Sequence, residues 1–237
     1  MKSTCLIITA TVNPRGPHVA EQDARVRLAA YEKALFHYVS LPVDIIFAEN
    51  SGFEPADSEM MHAWQKTGRV RFLSVEPSLH PERGKGYQEF EMLDEVVESI
   101  SGNYESFAKV TGRYVVRNAE VLMQSVPAGI RVDRHRKMKV AITGFFHCRT
   151  DFYRQHLLGC YREAHDDEGV FIEHVLYHKL AGLPDFQVEL FGQNPDYRGV
   201  SGSHGNSMQR HPLKMVLRNA ERKLLKWTGK QEFMVEY

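Results

Sequence analysis

Two cations that flank a short turn in the middle of the chain point most directly to chemistry. Lys109 and Arg113 lie on either side of Thr111-Gly112 in the segment Phe107-Ala-Lys-Val-Thr-Gly-Arg-Tyr-Val-Val116. The apolar and β-branched residues around them predict a strand, a tight turn at the glycine and a second strand. A buried strand carries such cations only where something anionic meets them. That anion is either a protein carboxylate, which would form a structural ion pair, or a phosphate of a ligand.

The elements that must position these cations alternate between strand and helix through the first half of the chain. Apolar runs predict strands at 6–12, 43–48, 70–75 and 107–116, and helical periodicity predicts helices at 22–38, 56–66 and after the 77–87 loop. Such alternation is typical of an α/β domain in which helices flank a mostly parallel sheet.

The predicted ends of these strands are polar and rich in turn-forming residues. They carry Thr11-Val-Asn-Pro14, Glu49-Asn50-Ser51, the Arg83–Gly86 loop and Thr111-Gly-Arg113. Ligands of parallel α/β sheets bind at the carboxyl ends of the strands, so these segments would meet at one edge. The coincidence of four polar ends favours an anion site over an isolated ion pair.

The composition excludes several classes of protein. Thirty basic and thirty acidic residues leave no net charge, whereas a general nucleic-acid-binding protein usually has a basic excess. The three cysteines, Cys5, Cys148 and Cys160, lack CxxC spacing, which argues against a disulfide framework and fits a reducing compartment. We see neither a signal peptide nor an apolar run long enough to span a membrane, so we expect a cytoplasmic protein.

Several motifs, taken in order, resemble a family of small bacterial glycosyltransferases from O-antigen (lipopolysaccharide) and capsule polysaccharide gene clusters. They are TATVNP, FAENSG, RGKGYQEFEM and KVTGRYVVRN, and the later GFFHCRTDFY, EGVFIEHVLY and GVSGSHG are similar to the family's second half. The resemblance covers most of positions 5–207, and KVTGRY and RGKGY are its most specific parts. It implies a single GT-A-like nucleotide-binding domain over 1–207, a nucleotide-sugar donor and a glycan acceptor. Galactofuranose is one sugar that it suggests.

The resemblance has a departure at the position where GT-A enzymes typically hold a metal. Those enzymes carry Asp-x-Asp after the fourth strand, and this chain has Thr111-Gly-Arg113 there. Fixed cations can neutralise a leaving diphosphate as a metal does, and an Arg fork matches phosphate oxygens. We therefore expect no required cofactor, with Lys85, Lys109 and Arg113 in the metal's place. The alternative is Mg²⁺ or Mn²⁺ on Asp133 and His135, although one carboxylate and one imidazole are few ligands for such hard cations.

The polar strand ends become the predicted donor-binding residues. Glu89 could hold sugar hydroxyls or only complement a helix dipole. His204 lies in a small-residue loop that could close over the diphosphate through backbone N–H groups, or be a linker. The complete predicted set is Thr11, Asn13, Glu49, Asn50, Lys85, Gly86, Glu89, Lys109, Thr111, Arg113 and His204.

An inverting sugar transfer also needs a base that takes the proton of the acceptor hydroxyl. Glu173, in the first turn of a helix predicted at 170–180, and Asp167, in the acidic run before it, are the candidate catalytic residues. Acidic residues there could equally do no more than complement the helix dipole. A retaining enzyme would need neither of them.

The C-terminal segment 208–237 has the pattern of a basic amphipathic helix. An apolar stripe runs along it, and lysines and arginines fill much of the remainder; the stripe is Leu213, Leu217, Ala220, Leu224 and Trp227. Over 213–230 it could lie on the anionic inner face of the plasma membrane, where a lipid-linked acceptor would be found. It could instead pack on the domain or on a partner enzyme.

The sequence leaves two functions open. One is the glycosyltransferase, which the candidate bases favour. The other is a non-catalytic nucleotide or sugar-phosphate binding module that recruits partners through its basic helix, which the missing Asp-x-Asp favours.

Overall fold

The computed structural model describes residues 2–14, 21–199, 212–230 and 232–233. Its strands are β1 Lys2–Ala10, β2 Asp44–Glu49, β3 Val70–Ser74, β4 Tyr104–Thr111, β5 Val115–Val116, β6 Ile130–Arg131, β7 Arg134–His135, β8 Val140–Ala141, β9 Phe145–Arg149, β10 Val188–Glu189 and β11 Tyr197–Arg198. Its α-helices are α1 Ala24–Tyr38, α2 Glu59–Lys66, α3 Lys85–Ile100, α4 Ala119–Leu122, α5 Thr150–His156, α6 Ile172–Ala181 and α7 Pro212–Trp227.

Seven of the strands form the central sheet, in the order β10-β6-β9-β4-β1-β2-β3. Neighbours pair in parallel except at β9, which is antiparallel to both β4 and β6. Because β6 and β4 both oppose β9, they point the same way. The carboxyl ends of six strands therefore meet at one edge, and the predicted mostly parallel α/β sheet is confirmed.

Each face of the sheet is covered by helices. One core contains Phe90 and Leu93 of α3 and Leu176 of α6. The other contains Tyr31 and Leu35 of α1. Residues alternate along a strand, so neighbours on β1 and β4 contribute to different cores. This alternation points Lys109 of β4 toward α3.

The predicted hairpin around Gly112 is wrong in its pairing. β4 ends at Thr111, but β5 pairs antiparallel with β11 and not with β4. The Gly112 N–H donates to the Thr9 carbonyl at 2.9 Å, and a Cβ at Gly112 would lie 2.7 Å from that oxygen. The glycine therefore lets the chain cross closely over the end of β1 rather than fold back on itself.

Phe145 and Phe146 begin β9 directly after Gly144 and face opposite sides of the sheet. Phe146 packs 6.1 Å from the Phe107 ring in one core, and Phe145 packs 5.4 Å from Phe191 in the other. A central strand that is buried on both faces shows a continuous apolar run without alternation, which at two residues is too short to recognise.

His147, the third residue of β9, is a fully buried histidine within the sheet. Its Nε2 lies 2.9 Å from Oγ of Ser106 on β4. Burial, together with the charge of Arg131, lowers the pKa of His147 to about 3. The folded protein therefore holds this ring neutral, while the unfolded chain takes up a proton below its ordinary pKa of about 6.5.

We predict that acid destabilises the fold through His147. Stability should be lost as pH falls from about 6.5 toward 3, with a slope of up to about 1.4 kcal/mol per pH unit from this group. His147→Gln keeps a polar group near Ser106 but cannot titrate, so its urea unfolding midpoint should depend less on pH over that range. His178→Gln, at an exposed position of α6, is the matched control. Equal pH dependence of both variants would contradict the assignment.

Candidate functional site

A buried ion pair lies beneath the carboxyl edge of the sheet and joins β4 to α3. Nζ of Lys109, whose side chain is fully buried, is 2.7 Å from Oε1 of Glu89. The same ammonium donates to Oγ1 of Thr111 at 3.0 Å and to the Thr143 carbonyl at 2.8 Å. Its three protons are thus matched by three acceptors. The carboxylate that the sequence left open as the partner of Lys109 is Glu89, and the expectation that Lys109 contacts phosphate directly is corrected accordingly.

Glu89 is held as a carboxylate by this arrangement. Oε1 also accepts from Oγ1 of Thr9 at 2.5 Å and Oγ1 of Thr111 at 2.9 Å. Burial alone would raise the pKa of Glu89, but the charge of Lys109 and these hydrogen bonds lower it below the ordinary value. All of these contacts engage Oε1, and the side chain retains 20% exposure. Glu89 is therefore charged and reachable from the edge, as a sugar-binding carboxylate would need to be.

Lys85, the first residue of α3, lies among charges from three other segments. Burial lowers the pKa of Lys85. The charges of Asp166, Glu173 and Glu89 oppose that shift. The charge of Arg113 adds to it. Two other predicted site residues, the base Glu173 and the cation Arg113, thus lie near enough to Lys85 for their charges to act on it.

Arg113 differs from Lys109 in having no carboxylate partner among the described residues. It is half-buried, and its Nε is buried without a hydrogen-bond partner. Within the described residues we find neither a hydrogen bond nor an ion pair of its guanidinium. Arg113 also adds to the lowering of the pKa of Arg27, which is due first to burial. A partly buried guanidinium that lacks a carboxylate is a candidate binding group for an anionic ligand.

The two candidate bases have different environments. Oε1 of Glu173, in the first turn of α6, accepts a hydrogen bond from Oγ1 of Thr143 at 2.9 Å. Asp167 is exposed on the surface. Within the acidic run 166–168 the residue that approaches α3 is Asp166, because its carboxyl group occupies the space where a Cβ at Gly84 would be, 2.1 Å from its Cγ. Gly84 has a φ of 103°, a conformation that glycine adopts without strain.

Arg83 explains how the acidic run is brought to α3. Its Nε donates to the Ala164 carbonyl at 3.1 Å and its Nη2 to the Arg162 carbonyl at 2.8 Å. The next glycine, Gly86, packs against α6, since a Cβ there would lie 2.5 Å from Cγ2 of Ile172. Gly86, predicted as a donor-binding residue, is thus required for close contact between two helices.

Glu49 has a structural role at the end of β2, contrary to the prediction that it binds the donor. Its carboxylate accepts from the backbone N–H of Val12 at 2.9 Å, of Ser51 at 2.9 Å and of Phe53 at 3.1 Å, and from the Ser51 hydroxyl. It is buried and so fully used in fixing the loops after β1 and β2.

The remaining predicted residues at this end of the sheet form a polar rim. Oγ1 of Thr11 donates to Oδ1 of Asn50 at 2.7 Å, and the Asn13 N–H donates to Oγ of Ser51 at 2.8 Å. The side chain of Asn13 is exposed and that of Asn50 is buried. Arg27 secures this rim, because its Nε donates to the Thr11 carbonyl at 2.7 Å.

Asp133 and His135, the alternative metal ligands, are engaged elsewhere. The Asp133 carboxylate is paired with Arg222 of α7, with Nη1 to Oδ1 at 2.8 Å. The His135 ring packs 5.5 Å from that of Phe233. The described part of the chain holds no group of three His, Cys, Asp or Glu side chains arranged to bind a metal. Both side chains therefore contact the C-terminal segment, Asp133 through Arg222 of α7 and His135 through Phe233.

The sequence does not single out three polar residues of the site, and one predicted residue is not among those that the structure describes. Thr9 and Thr143 carry hydroxyls that bind Glu89 and Glu173, but a threonine within a strand-like run gives no signal of its own. Asp166 is not predicted either, because the spacing of the residues does not show which of the adjacent Asp166 and Asp167 faces the site. His204 lies outside the described residues.

The chain is similar to known proteins in its fold but not in its sequence. No family model matches the chain, and no curated protein matches it. Among solved structures it is similar to the glycosyltransferase GlyE of Streptococcus pneumoniae TIGR4, with a TM-score of 0.50 and 7% identity over 81% of this chain and 46% of that one.

Two further solved structures align with the chain at lower TM-scores. A cytidylyltransferase from Leptospira borgpetersenii has a TM-score of 0.48 and 8% identity over 96% of this chain and 88% of that one. The mannosyltransferase PcManGT of Pyrobaculum calidifontis has 0.46 and 11%, over 79% and 56%. At 7% identity the likeness to GlyE concerns the fold alone, and that fold is GT-A-like as predicted.

We predict that Lys109 and Glu89 stabilise the protein only as a pair. Glu89→Gln should leave a buried ammonium uncompensated and lower the free energy of unfolding by about 3 kcal/mol or more. The double variant Glu89→Gln/Lys109→Met should lose less than the sum of the two single changes. Urea denaturation measures all three, and Glu91→Gln, on the same helix, is the control. Strictly additive losses would show that the two side chains do not interact.

Proposed function

We propose that this protein is a glycosyltransferase that moves a sugar from a nucleotide-sugar donor to a glycan acceptor. The observation that carries the proposal is Arg113, a half-buried guanidinium without a carboxylate partner among the described residues. It stands at the carboxyl edge of the sheet, in the same electrostatic neighbourhood as Lys85. A doubly charged diphosphate is the kind of anion that the guanidinium of Arg113 and the ammonium of Lys85 would bind together.

In this proposal the two cations replace a metal. As the sugar leaves, negative charge grows on the diphosphate oxygen, and Lys85 and Arg113 stabilise it where they already stand. The support is their placement together with the Thr111-Gly-Arg113 sequence at the position typical of Asp-x-Asp. Lys109 contributes indirectly, by fixing Glu89 and the backbone of Thr143.

Glu173 is the proposed base of an inverting transfer. The acceptor oxygen attacks the anomeric carbon, the bond from that carbon to the diphosphate oxygen breaks, and a carboxylate oxygen of Glu173 takes the hydroxyl proton. The hydrogen bond from Thr143 to Oε1 orients the carboxylate and leaves Oε2 for that proton. Glu89, with its partly exposed carboxylate, would hold a sugar hydroxyl. Normal transfer by Glu173→Gln would contradict the role of Glu173 as base.

The acceptor and the setting follow from the family resemblance of the KVTGRY and RGKGY motifs. We propose a lipid-linked glycan as acceptor, in the synthesis of a bacterial surface polysaccharide such as O-antigen or capsule. The enzyme would then work in the cytoplasm at the inner face of the plasma membrane. Galactofuranose is the first donor sugar to test.

A donor screen tests the proposal. The purified protein is incubated with each common nucleotide sugar, with and without EDTA, and release of the nucleotide diphosphate is measured. We expect slow hydrolysis of one donor, UDP-galactofuranose first, at equal rates in both conditions. Donor binding without turnover would favour the non-catalytic module. Turnover that is lost in EDTA and restored by Mn²⁺ or Mg²⁺ would contradict the metal-free arrangement.

We predict that Arg113→Ala removes activity and keeps the fold. Losing one group that stabilises the developing charge typically costs about 3 kcal/mol of barrier, so the rate should fall roughly a hundredfold or more. Arg117→Ala is the matched control, because that arginine is exposed and pairs with Asp196. Near-normal turnover of Arg113→Ala would rule out its phosphate role, and an unfolded variant would assign it to structure.

A further inference from the structure

The C-terminal helix α7 packs on the domain with its basic side inward. Arg222 is 1% exposed, and its guanidinium binds Asp133, Oδ1 of Asn194 and the Phe191 carbonyl, the last at 3.0 Å. Arg218, which is also buried, pairs with Glu221 at 2.9 Å. Of the alternatives left open by the sequence, the helix does pack on the domain, but through its arginines.

The part of the apolar stripe that the structure describes, from Leu217 to Trp227, is consequently left on the outside. Leu217 is 54% exposed, Leu224 58% and Trp227 84%. Val216, beside them, is also exposed, and Ala220 lies between them. Only Leu225 of the apolar residues in the second half of the helix is buried. Exposed apolar residues on one continuous helix face mark an interaction surface, whereas isolated ones need no explanation.

The charges around this face are positive. Lys223, Lys226 and Lys230 are exposed beside it. Glu221, the one acidic residue in the α7 sequence, is taken by Arg218. An apolar face with lysines beside it matches a partner that is apolar inside and anionic at its surface. A bilayer that contains acidic lipids is such a partner.

We infer that α7 docks the protein on an anionic membrane surface, with its apolar face in the bilayer interface and its lysines at the headgroups. No helix of the described residues is long and apolar enough to cross a bilayer. A 16-residue helix is about 24 Å long, which suits a segment that lies in the interface. The buried Arg222–Asp133 pair fixes the helix in the orientation that presents this face.

The helix α7 is attached to the domain close to the candidate site. Asp133 follows β6 at the carboxyl edge of the sheet, and its carbonyl accepts from the Ile142 N–H at 2.8 Å. The next residue, Thr143, binds Glu173. The docking helix and the candidate base are thus attached to the same edge. A docked helix would therefore bring the candidate base toward a lipid-linked acceptor. Only this consequence, and not the docking itself, rests on the proposed function.

Vesicle co-sedimentation of the full chain tests the inference without donor or acceptor. We expect binding to vesicles of phosphatidylglycerol and phosphatidylcholine in equal parts, reduced at high ionic strength. Leu224→Glu should weaken binding about tenfold or more. Replacing Lys223 and Lys226 by Gln should weaken it about fivefold per lysine at low salt.

The controls make equal chemical changes elsewhere on the surface. Val26→Glu replaces an exposed aliphatic residue of α1, and Lys33→Gln with Lys66→Gln neutralises two exposed lysines. These variants should bind as the unchanged protein does, and all variants should keep its thermal unfolding midpoint.

Three results would overturn the inference. They are no binding at low salt, equal binding to pure phosphatidylcholine, and binding that Leu224→Glu does not change. A dimer in sedimentation that Leu224→Glu dissociates, without vesicle binding, would assign the face to a second copy of the chain. If the unchanged protein binds the vesicles but transfers no sugar from any nucleotide sugar, the proposed function is refuted and this inference stands.

Discussion

The buried ion pair between Lys109 and Glu89 is the interaction on which the arrangement of the site depends. It joins the central strand β4 to α3, and hydroxyls from β1 and β4 converge on the same carboxylate oxygen. In a poorly polarisable interior a charge without its partner is costly, so each member of this group fixes the others. The ammonium also holds the Thr143 carbonyl, and the Thr143 hydroxyl holds Glu173. One pair thus determines where two carboxylates of the candidate site stand.

The two cations of the central motif divide two physical roles between them. Lys109 is satisfied by protein acceptors and has nothing left for a ligand. Arg113, four residues on, lies past the end of the strand, where it is half-buried and no described side chain neutralises it. Partial burial strengthens the attraction of a cation for an anion, while residual exposure leaves room for one to bind. Our assignment of the diphosphate to Arg113 and not to Lys109 rests on this difference.

Much of the fold could be predicted from local pattern, because apolar periodicity and turn residues record which face of an element is buried. The strands β1 to β4 and the helices α1, α3 and α6 were found that way. Contacts between residues that are distant in the sequence produce no local pattern from which they could be predicted. Glu49 carries the same carboxylate as a ligand-binding residue would, and only the backbone N–H groups around it in space reveal a loop cap. β5 likewise took a partner more than eighty residues away.

The helix α7 shows the same limit in another form. An amphipathic pattern states that two faces differ, but not which face turns inward. Burial normally selects the apolar face, since the desolvation of guanidinium groups opposes the other choice. Here Arg222 meets Asp133 and Asn194, so its desolvation is offset by acceptors that only the folded domain brings together. Once those acceptors hold the arginine, geometry requires Leu217, Leu224 and Trp227 to point away from the core. The orientation that exposes an apolar face is thereby stabilised by polar contacts on the opposite face of the same helix.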